Sequence, residues 1–280
     1  MPGTLLFGID VETASEDAAA FADHGARLFS ELQTPVTWYL TGKTLEKRPR
    51  EFKALEGNPF VDLQAHTYDH VLLKTVLIKV PKGAEVHGSR DWYLQRAGTL
   101  REIDEDLAKC QKVFEAALGR RATALTGPWG YYRGLADRPD LLEIVDRHGF
   151  RALRTYARNA DDGQPVALET APFFYAVQGF PHILECPVQF YQDEFYWRDF
   201  AMPPDEEPYL NALKEMVDEV AERNLVGTVC SHDHAFASKE ARAVKEEWYR
   251  GVIEHARSRG ARFLTVSQFY EEMRHGTHGS

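Results

Sequence analysis

Apolar and polar positions along the chain follow two alternating rhythms. Short runs rich in β-branched and aromatic residues, TLLFGID (4–10), PVTWYLTG (35–42) and VDLQAH (61–66), read as strands. Between them lie stretches of helical character, one ending near Gln33 and a more polar one ending near Glu56. Residues 71–98 keep neither rhythm and hold Pro81, Gly83, Gly88 and Gly98, which predicts an irregular insertion. Beyond it, Leu100, Ile103, Leu107, Cys110, Val113, Phe114 and Ala117 recur at helical spacing, predicting a helix over 99–118 closed by Gly119.

The alternation continues to the end of the chain. ATALTGP (122–128), RALRTYA (151–157), ILECPVQ (183–189), LVGTVCSHD (225–233) and RFLTVSQF (262–269) read as strands. Helices are predicted over 137–149, with Pro139 early and Gly149 after the end, over 205–223 and over 238–259, with a short one at the terminus. Repeated strand–helix units imply parallel strands joined by crossover helices. The predicted fold is therefore α/β: a single deformed (β/α) barrel of about seven to eight parallel strands over residues 1–275, with the insertion at about 71–98 and a tail at 276–280.

Composition narrows the function. The formal net charge of the 280 residues is −10, which argues against a nucleic-acid surface and disfavours anionic membranes. The start, MPGTLLFGID, lacks the basic and long apolar regions of a secretory signal, and no run is apolar enough for a membrane span. Three scattered cysteines suit a reducing compartment. The expectation is a cytoplasmic protein with a small-molecule partner; a homo-oligomer is allowed but not required.

Residues fit for chemistry gather where strands end. Asp10 and Glu12 close the first strand, His66 and His70 follow the third, Trp129 follows the strand at 122–128, and His232 and His234 end the strand at 225–231. In a parallel barrel these ends share one face, so residues distant in sequence meet in one cleft. On a helical turn His66 and His70, at i and i+4, would share a face and reach one metal ion. Two histidines and a carboxylate with an open position make a catalytic zinc arrangement. Of Asp10 and Glu12, one can bind metal while the other takes a proton from water; an acid capping the next helix is the competing role, for which Ser15 also qualifies. Trp92 and Trp197, with their aromatic neighbours, either wall the pocket or pack as ordinary core and loop.

With these motifs the sequence resembles the polysaccharide deacetylase family, whose members hydrolyse N-acetyl and related amides at a divalent metal. The resemblance runs from Phe7 to about Phe269 through GIDVE, HTYDH, TGPWG and ILECPVQFYQDEF. It implies Asp10 as catalytic base, with Glu12, His66 and His70 holding one divalent ion, zinc. It implies His232 as the general acid and Asp193 as an acid near that histidine. The Trp129 N–H, with Gly130 beside it, becomes the oxyanion donor. Glu12 stands where the family usually has Asp, and Thr126 where it has the arginine that pairs with the base. His234, two residues beyond His232, is the competing acid.

The implied reaction is removal of an acyl group, acetyl above all, from the nitrogen of an amino sugar or related small molecule. Two other readings are a ring-opening amidohydrolase acting on a cyclic imide or ureide and a non-catalytic carbohydrate-binding protein on the same barrel. The set Asp10, Glu12, His66, His70 and His232 argues against the last, because a binder has no need of all five.

Overall fold

Residues 4–11 are buried on both faces, as expected for a central strand with helices packed on one side and a filled interior on the other. In the computed structural model, residues 2–80, 83–199, 206–234 and 236–276 are described, apart from the side chains of residues 197–199 and 206. The elements run β1 (Thr4–Val11), α1 (Glu16–Glu31), β2 (Val36–Leu40), α2 (Gly42–Lys47), α3 (Pro49–Lys53), β3 (Val61–Ala65), β4 (Val76–Lys79), β5 (Trp92–Gln95), α4 (Leu100–Leu118) and β6 (Ala124–Tyr132). They continue with α5 (Pro139–Arg147), β7 (Ala152–Arg158), β8 (Phe173–Tyr175), β9 (Phe180–Glu185), α6 (Asp193–Asp199), α7 (Glu206–Glu222), β10 (Val226–His232), α8 (Lys239–Ser258), β11 (Arg262–Leu264) and α9 (Val266–Gly276).

The main sheet has nine strands in the order β10-β1-β2-β3-β6-β7-β9-β8, with β11 also beside β1. Every pairing in it is parallel except that of β8 with β9. The sheet curls into a deformed barrel. Among the described residues no strand ladder joins β8 or β9 to β10; the side chain of Gln189, just past β9, reaches β10 instead. Its amide donates to the Val226 carbonyl at 2.9 Å and accepts from the Thr228 N–H at 3.0 Å. A primary amide offers the same donor and acceptor as a peptide unit, so Gln189 stands in for one rung of the missing ladder.

Local sequence explains the helices that frame the site. Thr99 and Glu102 form a capping box at the start of α4, and Gly119, with φ +79°, closes it. The stripe Ile103, Leu107, Cys110 and Phe114 is buried. Several segments differ from the sequence reading: β8 and α6 were not expected, and the strand expected over 183–189 ends at Glu185. The helix expected to reach Glu56 breaks at Arg48–Pro49 into α2 and α3, because proline has no N–H to continue the first.

Residues 71–98, expected to be irregular, contain the antiparallel hairpin β4–β5, in which Val76 and Ile78 face the core while Leu77 and Lys79 face outward. The strand expected over 262–269 stops at Leu264. There Thr265 and Gln268 exchange hydrogen bonds with each other's backbone N–H, at 2.9 and 3.2 Å, and start a helix. Of the expected tail at 276–280, residues 277–280 lie outside the described residues.

Candidate active site

Asp10 and His232 are register partners on β1 and β10, so both side chains leave the sheet on the same side. Asp10 is buried. Its Oδ1 accepts from Nη2 of Arg154, a buried side chain on β7. Arg154 also donates from Nε to Thr126 Oγ1 at 3.0 Å and lies over the Tyr39 ring at 4.4 Å. Gly8 makes room for it: a Cβ there would approach Arg154 Nη1 to 2.9 Å. Thr126 and Arg154 face each other across β6 and β7. The arginine missing at position 126 is thus supplied by the neighbouring strand. The sequence reading overlooked it, although an arginine inside a strand expected to be buried was the available signal.

Glu12 follows β1 and is held from behind by Asp233, whose carboxylate accepts from the Glu12 N–H at 3.2 Å and from Thr13 Oγ1 at 2.7 Å. Asp233 is fully buried, a positioning role the sequence reading did not give it. Glu12 Oε2 lies 3.0 Å from His66 Nε2 and 3.1 Å from His70 Nε2. The two histidines meet without a helix. Residues 67–69 form a turn, Thr67 and His70 have φ of +54° and +55°, and the helical turn expected from the spacing is absent.

Asp106 on α4 holds this turn, accepting from the N–H groups of Tyr68 and Asp69 at 2.7 and 3.0 Å. An acid on the apolar stripe of α4, between Ile103 and Leu107, was a legible sign of such a buried contact. Burial raises the Asp106 carboxyl above its ordinary range, partly offset by those two N–H groups.

The donor set fits a divalent cation. His66 Nδ1 lies 3.2 Å from the Thr126 carbonyl, which can only accept, so the proton belongs on Nδ1. Nε2 then turns a lone pair toward a carboxylate oxygen 3.0 Å away. Two acceptors at that distance require a positive charge between them, a proton or a metal ion. Burial alone would raise the Glu12 carboxyl, but hydrogen bonding to His234, His66 and His70 holds it well below its ordinary range. The Glu12, His66 and His70 ligand atoms lie within 4.8 Å of one another. Two imidazoles and a carboxylate suit zinc and leave room for substrate.

His232 donates from Nδ1 to Asp193 Oδ1 at 2.6 Å, while Asp193 Oδ2 accepts from Ser231 Oγ at 2.9 Å and from the His232 N–H at 3.2 Å. Asp193 therefore sits behind the histidine and not among the cleft-lining residues. Burial disfavours charge on both, yet their mutual attraction prevails: His232 is raised well above an ordinary histidine and Asp193 is held below the usual carboxylate range. His234 stacks on His232 with ring centroids 5.2 Å apart. It lies between Glu194, at 2.8 Å, and Glu12, at 3.5 Å. Burial lowers its pKa, but those two carboxylates raise it to about 9.

Asp10, Glu12, His66, His70, Arg154 and His232 surround a cleft that is also lined by Trp129, Gly130, Gln192, Glu194 and Phe195. Gln192 and Glu194 went unnoticed in the sequence, where they sit in an aromatic stretch without a motif of their own. Trp92 lies on the hairpin, 41 % exposed, and does not line the cleft. The Trp197 side chain lies outside the described residues.

The sequence profile described as polysaccharide deacetylase matches residues 13–153. The chain belongs to the polysaccharide deacetylase family. With the family comes its reaction class, hydrolysis of a carbon–nitrogen bond outside the peptide backbone. The matched stretch contains HTYDH and TGPWG but not Asp193 or His232. Among curated proteins, none matches the chain.

Solved structures share the fold at low identity. One from Mycobacterium smegmatis, described as a polysaccharide deacetylase, has a TM-score of 0.66 at 12% identity, covering 99% of this chain and 92% of that one. A PuuE allantoinase has 0.65 at 13%, covering 99% and 91%. A Pseudomonas aeruginosa structure described as a polysaccharide deacetylase has 0.61 at 14%, covering 96% and 89%. Among the described residues no helix is long and apolar enough to cross a membrane.

Proposed function

We propose that the chain removes an acyl group, acetyl above all, from the nitrogen of an amino sugar or a related small molecule, with one zinc ion held by Glu12, His66 and His70. One observation carries the reading: the carboxylate of Asp10, the donor set of Glu12, His66 and His70, and the paired His232 all line one cleft. When bound, the ion would supply Lewis acidity, making water a better nucleophile and drawing charge onto the acyl oxygen.

The chain's own residues account for the proton movements. Asp10, anchored by Arg154, takes the proton of the attacking water. Backbone N–H groups of the 129–130 loop steady the negative charge developing on the acyl oxygen. His232 engages Asp193 through Nδ1, which leaves Nε2 to protonate the departing nitrogen. Three buried, unbridged cysteines accord with a cytoplasmic setting.

An acetate-release screen on the zinc-loaded protein tests the reading, using free, phosphorylated and nucleotide-linked N-acetylhexosamines beside allantoin as a cyclic ureide. Release of acetate from an N-acetyl sugar is the expected result. Ring opening of allantoin without acetate release from any sugar would overturn it.

A further inference from the structure

The loop on one wall of the cleft takes a constrained path. Trp129 and Gly130 have consecutive positive φ values, +64° and +62°. A Cβ on Gly130 would lie 2.3 Å from that of Ala157, so no other residue fits there. For tryptophan this conformation is uncommon and persists only where its surroundings enforce it.

Arg158 supplies the enforcement. Its side chain is wholly buried at the end of β7 and is not among the groups lining the cleft. Its Nε donates to the carbonyls of both Trp129 and Gly130, each at 3.1 Å. Its Nη1 donates to the Leu77 carbonyl at 2.9 Å and to the Asp162 carbonyl. The guanidinium lies 4.9 Å from the centre of the Phe195 ring, which packs edge-on against Trp129 at 5.8 Å.

Burying a guanidinium is costly; this one donates to four main-chain carbonyls and pairs with Asp162 Oδ1 at 3.5 Å. In a trans peptide the carbonyl and the following N–H point in opposite directions. With the Trp129 carbonyl turned onto Arg158, the Gly130 N–H is turned away from that side chain, and Gly130 itself lines the cleft.

We propose that Arg158 is a positioning residue that holds the 129–130 backbone ready as the oxyanion site, the Gly130 N–H serving as one donor. It touches no substrate and acts only through the loop. The proposal rests on the deacylase reading above. It predicts an effect confined to the transition state, because the charge that the N–H groups meet is absent from the bound ground state.

The test uses zinc-loaded Arg158→Met and Arg158→Lys proteins, with N-acetylglucosamine or the best N-acetyl sugar of the screen as probe. Rates of acetate release are measured together with amide hydrogen exchange over residues 127–132. Arg158→Met should lose on the order of 10²-fold in kcat, with KM unchanged and faster exchange in the loop alone. Arg158→Lys keeps the charge but cannot bridge the carbonyls in the same way, and should fall between Arg158→Met and the parent.

A folded Arg158→Met protein with the parent's kcat overturns the proposal, as does a loss expressed only in KM. Should Arg158→Met not fold, Arg158→Lys decides, parental kcat and loop exchange counting against the clamp. A parent protein that hydrolyses no amide instead sinks the deacylase reading, an outcome distinct from an active parent matched by its Arg158 variants.

Discussion

Arg154 and Asp10 meet across the inside of the barrel, although three strands, β2, β3 and β6, separate β7 from β1 in the sheet. The arginine is the register partner of Thr126, so its guanidinium reaches Asp10 from the strand next to the one that carries Thr126. Thr126 remains part of the arrangement: its hydroxyl donates to the Arg154 carbonyl and accepts from Nε, both at 3.0 Å.

Arg154→Met leaves the buried Asp10 without its charge partner. Breaking a buried ion pair by removing one member costs about 3–5 kcal/mol, and a misaligned base should lower turnover as well. Thermal unfolding and kcat should both register the change. The double variant Thr126→Arg/Arg154→Thr returns a guanidinium to the other strand and should recover part of the lost rate. If it is no faster than Arg154→Met, the two positions are not interchangeable.

Metal content separates ligands from bystanders. The purified protein should hold close to one divalent ion, with chelation abolishing activity and zinc restoring it. His66→Ala and His70→Ala should lose both metal and rate, as measured by elemental analysis and acetate release. Full activity in metal-free protein would refute the ligand assignment.

The two acids of β1 and its extension should behave differently. Asp10→Asn is expected to retain metal and lose roughly 10²–10⁴-fold in rate, the usual contribution of a general base. Glu12→Gln should weaken metal binding, because its carboxylate is the point on which His66 and His70 converge. The reverse pattern would exchange their roles.

The alkaline limb of the pH–rate profile should belong to His232. Its folded pKa is raised by Asp193 against the opposing effect of burial, so the protonated acid persists well above pH 6.5 and is lost as pH rises through the shifted value. Asp193→Asn removes the attraction but leaves the burial, and should move the limb to lower pH. His232→Ala should lower turnover strongly and abolish or displace the limb with metal content intact. His234, raised to about 9 by Glu12 and Glu194, is the rival. If His234→Ala loses the limb while His232→Ala keeps it, the acid is His234.

The parallel strands were legible from the alternation of strands and helices, and the clustering of active groups with them, because parallel strands deliver their carboxyl ends to the same face. Asp10, His66 and His232 could be assembled that way without knowing any side-chain direction. Arg154 and Asp106 could not, since each acts through a contact that depends on register or packing across elements. Both nonetheless left a trace, a charge inside an otherwise buried pattern. The turn at 67–69 was misjudged because i, i+4 spacing suits a helix, whereas Asp106 and two left-handed residues shape this one. The capping signature Thr265–Gln268 was overlooked beneath an apolar run that also fits a strand.

The join between β9 and β10 gives the barrel a seam. Across it, Gln189 fastens Val226 and Thr228, and farther along Asp193, on α6, fastens His232. From β10 through β1 and β2 to β3 the wall is held by continuous ladders; at the seam it is side chains that make the connection. His232 stands beside that seam, at the end of β10. Under the proposed reaction, the contacts that fasten Asp193 to β10 are also those that aim the imidazole of His232.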